Sequence, residues 1–595
     1  MHSFLSRPTN LLVLFSYLAL SAVPLLPLAW GRGEPRAAGI LLLEFACWAL
    51  LWAVCQRPAR FHWLLLPAFL ALPADLYLQR FYGQSISAHH FGILVETSPA
   101  EALEFLGDRA GLLLAALAGA GGWWWLSWRA AKATHDLDWS GRSRSAVLLL
   151  FALGLGVWFY GRATATPAST PATHDKAVSA ANASGVLGGL PAWIAPPFST
   201  TSFAATRPFG LGAAAYELWT ERRYLSSLIA GSNQFSFGAR QATAAPRPQV
   251  VVMVIGESAR YDRWGLNGYA RATTPRLAAE TNLVSLGNLI TPVSATRLSV
   301  PVIMSRKPAR QSLRPGFAEK SFLSAFREAG FKTWWLSNQM SFGKFDTPVS
   351  VYAREADVTR FLNPGNVNGD SSLDRILLPA LQRAVADPAP RKLIVLHTLG
   401  SHWNYAHRYP PQYDRWQPSL RELARPVPTD LQIKTAINNS YDNSILYTDY
   451  ILTQVIDRLR TTQQLAALLY VSDHGQSLHD GNCKLAMHGH NTQYDFHVPA
   501  LVWYSDAWGT TWPDKLRQLQ QHRDAPLSTE NIFHSLLDLA DIRYPDQRLD
   551  WSIFSEQWQP HARYVDSYGW SDYDNASFKG DCREVIDKGT PLARE

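Results

Sequence analysis

The chain is long, apolar and only weakly charged overall. Its 595 residues are 47% apolar and include 23 Trp, a high share for a soluble protein, which indicates segments embedded in a membrane. The net charge of +7 is small for this length and the basic residues form no block, which argues against a nucleic-acid-binding protein. Four cysteines without a CxxC pair argue against a zinc knuckle and a dense disulfide framework.

Residues 1–162 are predicted to form a membrane anchor of five helices. The second apolar run is short and contains Glu44, and it is the weakest of the five. Lys and Arg are concentrated after the second and fourth runs, which places those links in the cytoplasm and the chain after Arg162 on the exported side. We therefore expect a multi-pass protein of the bacterial cytoplasmic (inner) membrane with its second half in the periplasm. The apolar runs of about spanning length are Leu11–Trp30, Ala38–Val54, Phe61–Leu78, Ala110–Trp128 and Ala146–Tyr160.

The link between the third and fourth runs, from about Gln79 to Arg109, contains a helix-start pattern. Thr97 or Ser98 can cap the helix, and Pro99 suits its first turn. The pattern is typical of an ordinary capped helix. Because the link lies outside the membrane, a helix that rests on the bilayer and meets a lipid headgroup is the alternative.

Residues 163–248 are predicted to form a linker with membrane-surface helices. Its first part, to Thr206, is rich in Ala, Thr, Ser, Pro and Gly, which indicates a loose bridge over the membrane surface. Tyr216–Leu228 has the pattern of a short amphipathic helix.

Residues 249–595 are predicted to form an α/β domain, because buried strands alternate with helical segments. This alternation is typical of a mostly parallel central sheet with helices on both faces. The predicted strands are Val250–Ile255, Lys332–Leu336, Lys392–His397, Leu468–Ser472 and Val498–Tyr504. The predicted helices are Ser321–Ala329, Leu373–Ala386, Ser444–Arg460 and Thr529–Ala540.

Two predicted strands end abruptly in polar residues. Glu257 follows Val250–Ile255, and Asp473 and His474 follow Leu468–Ser472. Open α/β sheets bind their ligands at the carboxyl ends of the strands, so these side chains are expected to share one site. Carboxylate and imidazole ligands suit zinc or manganese. Each stretch alone is equally well explained as an ordinary turn or helix cap after a strand.

A hydroxyl group near such a metal can act as a nucleophile, because the ion lowers its pKa. Thr296 is the candidate, and Ser294 and Ser299 fit the pattern as well. Other polar residues also follow predicted strands or cluster beyond them: Asn338, His397, His402, His488, His490 and His497.

Several motifs in residues 249–504 resemble those of the phosphoethanolamine transferases. These enzymes belong to the alkaline phosphatase and sulfatase superfamily, modify lipopolysaccharide and include the colistin-resistance enzymes. The motifs keep the family's order and rough spacing, and the five-span anchor is also similar. They are Gly256-Glu257-Ser258-Ala259-Arg260, Leu266-Asn267-Gly268-Tyr269, Thr274-Pro275-Arg276-Leu277, Thr296-x-x-Ser299-Val300-Pro301, Leu396-His397-x-x-Gly400-Ser401-His402, Tyr441-Asp442-Asn443-Ser444, Tyr470-Val471-Ser472-Asp473-His474-Gly475 and Met487-His488-Gly489.

The resemblance implies a reaction and a ligand set. Thr296 would attack the phosphorus of phosphatidylethanolamine, release diacylglycerol and form a phosphoethanolamine-threonine intermediate. A cell-envelope glycolipid, lipopolysaccharide core or lipid A, would then accept the group. A zinc ion would be held by residues that match Glu257, Thr296, Asp473 and His474. Residues expected to contact the substrate, or a second divalent metal in the case of the two histidines, are His402, His488, Asn338, Lys344, Glu96 and Thr97.

The sequence also departs from the better-known members of the family. Pro292 and Val302 occupy positions where those members have bridging cysteines, and Phe342 stands where a lysine is expected, two residues before Lys344. The stretch 346–350 is more similar to the branch that acts on lipopolysaccharide core sugars. These differences leave the acceptor open between core and lipid A.

Three other functions are compatible with parts of the pattern. A phosphoglycerol transferase acting on an envelope glycan or teichoic-type polymer would use phosphatidylglycerol and Mn²⁺. A sulfatase is disfavoured because no arginine follows Ser299-Val300-Pro301 at the required position. A non-enzymatic envelope scaffold is disfavoured by the intact ligand set.

Cys483 and Cys582 both lie in the half that is predicted to be exported. Oxidising conditions there favour a disulfide between them, which would hold the loop that carries His488. Two separate thiols are the alternative.

Overall fold

The structure is a computed structural model, and it falls into two compact units. One unit lies within Met1–Val95 and Arg109–Trp219, and the other within Glu96–Asp108 and Thr220–Arg594. The domain boundaries predicted above, after residues 162 and 248, stay a prediction. The residues that the structure describes are 7–26, 37–82, 85–96, 102, 106, 109–164, 203–231, 235–243, 246–311, 319–340, 348–363, 373–423, 426–566 and 569–587.

The first unit is helical, and each of the five predicted apolar runs overlaps a helix. Among the described residues, four segments are long and apolar enough to cross a membrane: Pro8–Leu25, Pro58–Arg80, Ala110–Ala133 and Arg142–Tyr160. The second run is also helical, but its apolar part, Gly39–Cys55, is shorter. The helices are Pro8–Ala22 (α1), Ala37–Cys55 (α2), Leu66–Tyr82 (α3), Ala88–Glu96 (α4), Ala110–Ala133 (α5), Arg142–Thr164 (α6) and Gly210–Gly231 (α7).

Buried charges in this unit account for the acid in the second run. Glu44 is buried, and its Oε1 accepts a hydrogen bond of 2.9 Å from the backbone N–H of Arg207. The Arg207 guanidinium donates to Asp75 of α3 with an Nε to Oδ2 distance of 2.5 Å. Because a buried charge is tolerated only with partners, this group ties the segment before α7 to α2 and α3.

The second unit contains a seven-stranded central sheet among its described residues, in the order β2-β7-β6-β1-β5-β3-β4. Strands β6, β1, β5, β3 and β4 are parallel, and β7 and β2 complete the sheet in antiparallel pairing. The predicted α/β fold with a mostly parallel sheet is confirmed. The strands are Gln249–Gly256 (β1), Leu283–Leu286 (β2), Lys332–Met340 (β3), Val358–Asn363 (β4), Arg391–His397 (β5), Leu465–Ser472 (β6) and Ala500–Tyr504 (β7).

Helices cover both faces of the sheet, as the continuous apolar strands require. Alternate residues of β1 show the division, since Val251 packs in the core on one face and Val252 in the core on the other. The larger helices of this unit are Thr296–Met304 (α8), Phe322–Glu328 (α9), Leu377–Val385 (α10), Lys434–Arg460 (α11), Pro513–Gln521 (α12) and Asn531–Leu539 (α13). Shorter helices are Pro348–Ala353, Gln493–Phe496 and Asp506–Thr511.

The described residues of the second unit also form small two-stranded ribbons outside the central sheet. Ser477–Leu478 pairs with Ala486–Met487, and Ala576–Lys579 pairs with Glu584–Asp587. Cys483 and Cys582 form a disulfide between the turns of these ribbons, which confirms the predicted pairing. The other ribbons pair Arg240–Gln241 with Ile542–Arg543, Leu289–Ile290 with Leu527–Ser528, and Tyr564–Asp566 with Trp570–Asp572.

Candidate active site

Two neighbouring parallel strands bring three candidate metal ligands together. Gly256 at the end of β1 is in register with Ser472 at the end of β6, so Glu257 leaves the sheet beside Asp473 and His474. One ligand atom from each of the three side chains lies within 4.8 Å of the others, and all three residues are buried. The carboxyl edge of the sheet therefore holds the three-residue cluster that the strand-end pattern predicts.

The hydrogen bonds of Asp473 and His474 leave one atom of each directed into the cluster. Asp473 Oδ1 accepts the backbone N–H groups of Ser258 at 3.0 Å and of His474 at 2.7 Å. Its Oδ2 is buried and accepts no hydrogen bond from the described residues. His474 Nδ1 lies 2.8 Å from the carbonyl oxygen of Gly475, so Nδ1 carries the proton and Nε2 presents its lone pair.

Glu257 is held from the side of its own strand. Its Oε1 accepts the hydroxyl of Ser258 at 2.7 Å. Ser258 adopts φ 57°, a left-handed conformation that is costly for a serine, and it lets both the N–H and the hydroxyl of this residue face the cluster. The hydroxyl of Tyr441 donates to the carbonyl oxygen of Ser258 at 2.7 Å and stabilises this turn.

Burial controls the protonation of the cluster. Removal from water raises the pKa of Glu257 to about 7, and the neighbouring charge of Asp473 adds to this effect. Burial likewise raises the pKa of Asp473 to about 7. Burial lowers the pKa of His474, which favours the neutral imidazole that a metal requires.

Thr296 lies directly beside the cluster at the first residue of α8. Its Oγ1 donates to Glu257 Oε2 at 3.0 Å and lies 3.2 Å from His474 Nε2. Thr296 is partly exposed, unlike the three buried residues of the cluster. The helix N-terminus favours negative charge at this position, which suits a hydroxyl that must lose its proton.

The two alternative serines are directed elsewhere. Ser294 Oγ donates to the carbonyl oxygen of His490 at 3.5 Å. Ser299 is fully buried, and its Oγ donates to the carbonyl oxygen of Thr296 at 3.5 Å. The geometry therefore favours Thr296 as the nucleophile.

Two further histidines border the cluster. The ring of His488 lies 4.2 Å from that of His474. His402 interacts electrostatically with Glu257 and lowers the pKa of that carboxyl, against the larger effect of burial. His402 follows Gly400, where φ is +44° and an added Cβ would lie 2.7 Å from the carbonyl oxygen of Glu257, so only glycine allows this approach.

The other histidines of the sequence pattern lie outside the cluster. His397 is buried against Trp335, His490 Nε2 contacts the carbonyl oxygen of Ala486, and His497 stacks on the Tyr261 ring.

The end of β3 places two amides near the site, and they have different roles. Asn338, the predicted headgroup contact, donates to Asp374 Oδ1 at 2.8 Å, which in turn accepts the N–H of Leu399. Gln339, which no sequence motif indicates, donates to Glu257 Oε2 at 3.2 Å. Lys344 and Thr97 lie outside the described residues, and Glu96 is described only as the last residue of α4.

Apolar side chains pack around the helix that carries Thr296. Val302 on α8 packs in a small cluster with Val293, Ala309 and Trp570. This cluster supports the helix that presents Thr296 without a covalent link.

The ligand set fits zinc. Asp473 Oδ2 and Glu257 Oε1 each lie 3.4 Å from His474 Nε2, where three electron-rich atoms face one another in a buried position. A cation relieves this repulsion and satisfies the unpaired carboxylate oxygen. One imidazole, two carboxylates and the Thr296 oxygen make the four nitrogen and oxygen ligands that Zn²⁺ prefers.

Comparisons with known proteins agree with this arrangement. The sulfatase family model matches residues 249–542. Phosphoethanolamine transferase EptC of Escherichia coli K12 is 29% identical over 329 residues, which cover 53% of this chain and 55% of the relative. Kdo(2)-lipid A phosphoethanolamine 7''-transferase of Salmonella typhimurium is 31% identical over 309 residues, which cover 50% and 51%. The matched region thus spans about half the length of these curated relatives.

Solved structures extend the likeness. The periplasmic domain of E. coli EptC in complex with Zn aligns with a TM-score of 0.51 and 25% identity, covering 60% of this chain and 98% of that one. The integral membrane protein EptA of Neisseria meningitidis aligns with a TM-score of 0.64 over 91% of this chain and 98% of that one, at 19% identity. The second alignment supports the fold of the whole chain, and the resemblance inferred from the motifs is confirmed.

Proposed function

Since residues 249–542 of this chain match the sulfatase family model, we propose that the protein is a phosphoethanolamine transferase of the bacterial cytoplasmic membrane. It takes the phosphoethanolamine group from phosphatidylethanolamine and transfers it to lipopolysaccharide core or lipid A. The second unit, with the active site, lies in the periplasm, and the helices of the first unit anchor it in the membrane.

One observation carries this proposal. Thr296 is partly exposed, and its Oγ1 contacts both Glu257 Oε2 and His474 Nε2, next to the buried Asp473. A hydroxyl attached to a buried ligand cluster suits metal-assisted group transfer through a covalent intermediate. The named relatives support phosphoethanolamine as the group transferred.

In the first step, Thr296 Oγ attacks the phosphorus of the donor. The Thr296 hydroxyl loses its proton, a bond forms between its oxygen and phosphorus, the phosphoester bond to diacylglycerol breaks, and the diacylglycerol oxygen takes up one proton, so the step is balanced. Glu257 and His474 hold the attacking oxygen in place. Zinc, when bound by these residues, lowers the pKa of the hydroxyl and offsets the negative charge of the phosphoryl group.

In the second step, a hydroxyl or phosphate oxygen of the acceptor attacks the same phosphorus and releases Thr296. His402 and His488 border the cluster and contact the phosphoryl oxygens, or hold a second divalent ion. Asn338, Lys344, Glu96 and Thr97 are proposed to contact the substrates, on the basis of the resemblance.

The proposal is tested by mass spectrometry of the products. The purified full-length protein is incubated with phosphatidylethanolamine and rough lipopolysaccharide. The masses of the core and lipid A fragments are then measured separately. An added phosphoethanolamine with the wild type and none with Thr296→Ala is the expected result. Transfer of phosphoglycerol from phosphatidylglycerol in a parallel reaction, with no phosphoethanolamine transfer, would refute the proposed donor.

A further inference from the structure

Gln339, at the end of β3, contacts the cluster without belonging to the ligand set. Its Nε2 donates one hydrogen to Glu257 Oε2 at 3.2 Å and the other to the carbonyl oxygen of Thr398 at 2.9 Å. Both partners are acceptors, so the amide nitrogen must face them and the orientation of the side chain is determined.

These two hydrogen bonds join the ends of three adjacent strands. Glu257 follows β1, Thr398 follows β5 and Gln339 lies in β3, in the sheet order β1-β5-β3. The backbone N–H of Thr398 also donates to the carbonyl oxygen of Ile255 in β1 at 3.1 Å. The amide of Gln339 therefore has a fixed anchor on one side and the Glu257 carboxylate on the other.

The lone pairs of Glu257 show what this contact does. A carboxylate has about four acceptor positions. Ser258 takes one on Oε1, while Thr296 and Gln339 each take one on Oε2. One position remains for a metal, on Oε1, the oxygen that lies 3.4 Å from His474 Nε2. Without Gln339, Oε2 keeps only the hydrogen bond from Thr296. The carboxylate can then rotate more freely about its Cγ–Cδ bond.

We propose that Gln339 is a positioning residue that fixes the Glu257 carboxylate for metal binding and thereby orients the Thr296 hydroxyl, which shares Oε2 with it. Outer-sphere partners of metal ligands typically contribute 10-fold to 100-fold to metal affinity. The inference deepens the proposed function and rests on it for its kinetic consequence, but its effect on zinc affinity can be measured without any lipid.

The test measures zinc affinity by competition with a chromogenic chelator on the purified full-length protein. Gln339→Met keeps the size of the side chain and removes both donors, and we expect about 10-fold to 100-fold weaker zinc binding. Gln241→Met is the matched control, because the Gln241 amide also bridges a side-chain oxygen, of Gln249, and a backbone oxygen, of Ala540. It lies in a ribbon near the start of β1 and should leave zinc affinity unchanged.

At saturating zinc, the variant should show a lower kcat with an unchanged KM for phosphatidylethanolamine. Wild-type zinc affinity in Gln339→Met, or a raised KM with unchanged zinc affinity, overturns the inference. If Gln339→Met fails to fold, Gln339→Asn replaces it, since the shortened amide cannot reach both acceptors and should also weaken zinc binding. A wild-type protein that binds zinc but transfers no phosphoethanolamine would refute the proposed function and leave this inference standing.

Discussion

At the residue scale, the hydroxyl of Thr296 is the group on which the proposed chemistry depends. Thr296→Ala should abolish transfer and leave the folded structure intact, because the side chain is half exposed and contributes little to the core. Thr296→Ser should keep part of the activity, since the hydroxyl survives although the β-methyl that restricts its rotamer is lost. Product formation is followed by mass spectrometry, and circular dichroism checks the fold.

A second experiment, with the donor alone, can identify the attacking oxygen. Incubation with the donor and no acceptor should leave a phosphoethanolamine adduct on the peptide that contains Thr296, with its position given by fragmentation. Ser294→Ala and Ser299→Ala are the matched controls and should both form the adduct. An adduct on either serine, or full activity in Thr296→Ala, is incompatible with the assignment.

The buried carboxylates also predict how zinc binding depends on pH. The pKa values of Glu257 and Asp473 are both raised to about 7, so protons compete with the metal below pH 7. Zinc affinity should therefore rise by roughly tenfold or more between pH 6 and pH 8.

The same raised pKa values determine whether the stability of the zinc-free protein rises or falls with pH. A raised folded pKa contributes stability that is fully present below the unfolded pKa of each acid and is lost as pH rises through about 7. Zinc should thus raise Tm more at pH 8 than at pH 6 in thermal unfolding experiments. In Asp473→Asn this pH-dependent gain should be largely lost, and an equal Tm increase at both pH values would contradict the mechanism.

Single residues also show what sequence reasoning can reach. Glu257, Asp473 and His474 were predictable because each directly follows a strand that is apolar on both faces. Gln339 was not, because its role depends on which strand lies beside β1, and that order is a long-range property of the sheet. Neither hydrophobic patterning nor a motif predicts that a glutamine will form hydrogen bonds to residues that follow two other strands.

At the scale of elements, the disulfide joins two ribbons that are 99 residues apart in the chain. In denatured, unreduced protein, Cys47 and Cys55 should react with a thiol reagent while Cys483 and Cys582 do not. Reduction should bring the number of labelled cysteines from two to four, as counted by mass spectrometry of labelled peptides.

The bridge should also affect the loop that carries His488. Cys582→Ser should speed hydrogen exchange in residues 479–491, because their covalent tie to the second ribbon is lost. Cys55→Ser serves as the control and should leave this exchange unchanged. Labelling of all four thiols before reduction would falsify the pairing.

Two kinds of element escaped prediction for different reasons. β2 and β4 lie at the edges of the sheet, where partly or fully exposed residues, such as the exposed Arg360, interrupt the apolar pattern that identifies a buried strand. α11 begins at Lys434, ten residues before the predicted start at Ser444. Its first part buries polar side chains such as Asn439 and Asp442, which find partners only in the folded protein.

At the scale of the whole molecule, the distribution of Lys and Arg predicts which side of the membrane each part occupies. Reporter fusions after Arg162 and within Arg129–Arg144 should report opposite sides, with the first in the periplasm. Fusions after Trp30 and Gln56 provide the matched pair for the earlier helices. A cytoplasmic signal after Arg162 would reverse the topology and remove the second unit from the compartment in which the proposed acceptor lies.

The α/β class of the second unit was predictable as a whole, because alternation of apolar strands with helices is visible along most of its length. The details of the first unit were less accessible. Hydropathy identified all five helices but could not explain Glu44, since its partner Arg207 lies 163 residues further along the chain. A contact between a buried acid and a distant backbone N–H depends on tertiary packing, and a single sequence does not reveal it.

Because the apolar cluster around Val302 supports α8, the position of Thr296, the proposed nucleophile, does not depend on a disulfide. In this chain α8 is braced by packing alone. The Cys483 to Cys582 bridge instead holds the segment that leads to His488. A reducing environment would thus loosen that segment and leave Thr296 in place, so a reductant would act on the proposed transfer through His488 alone.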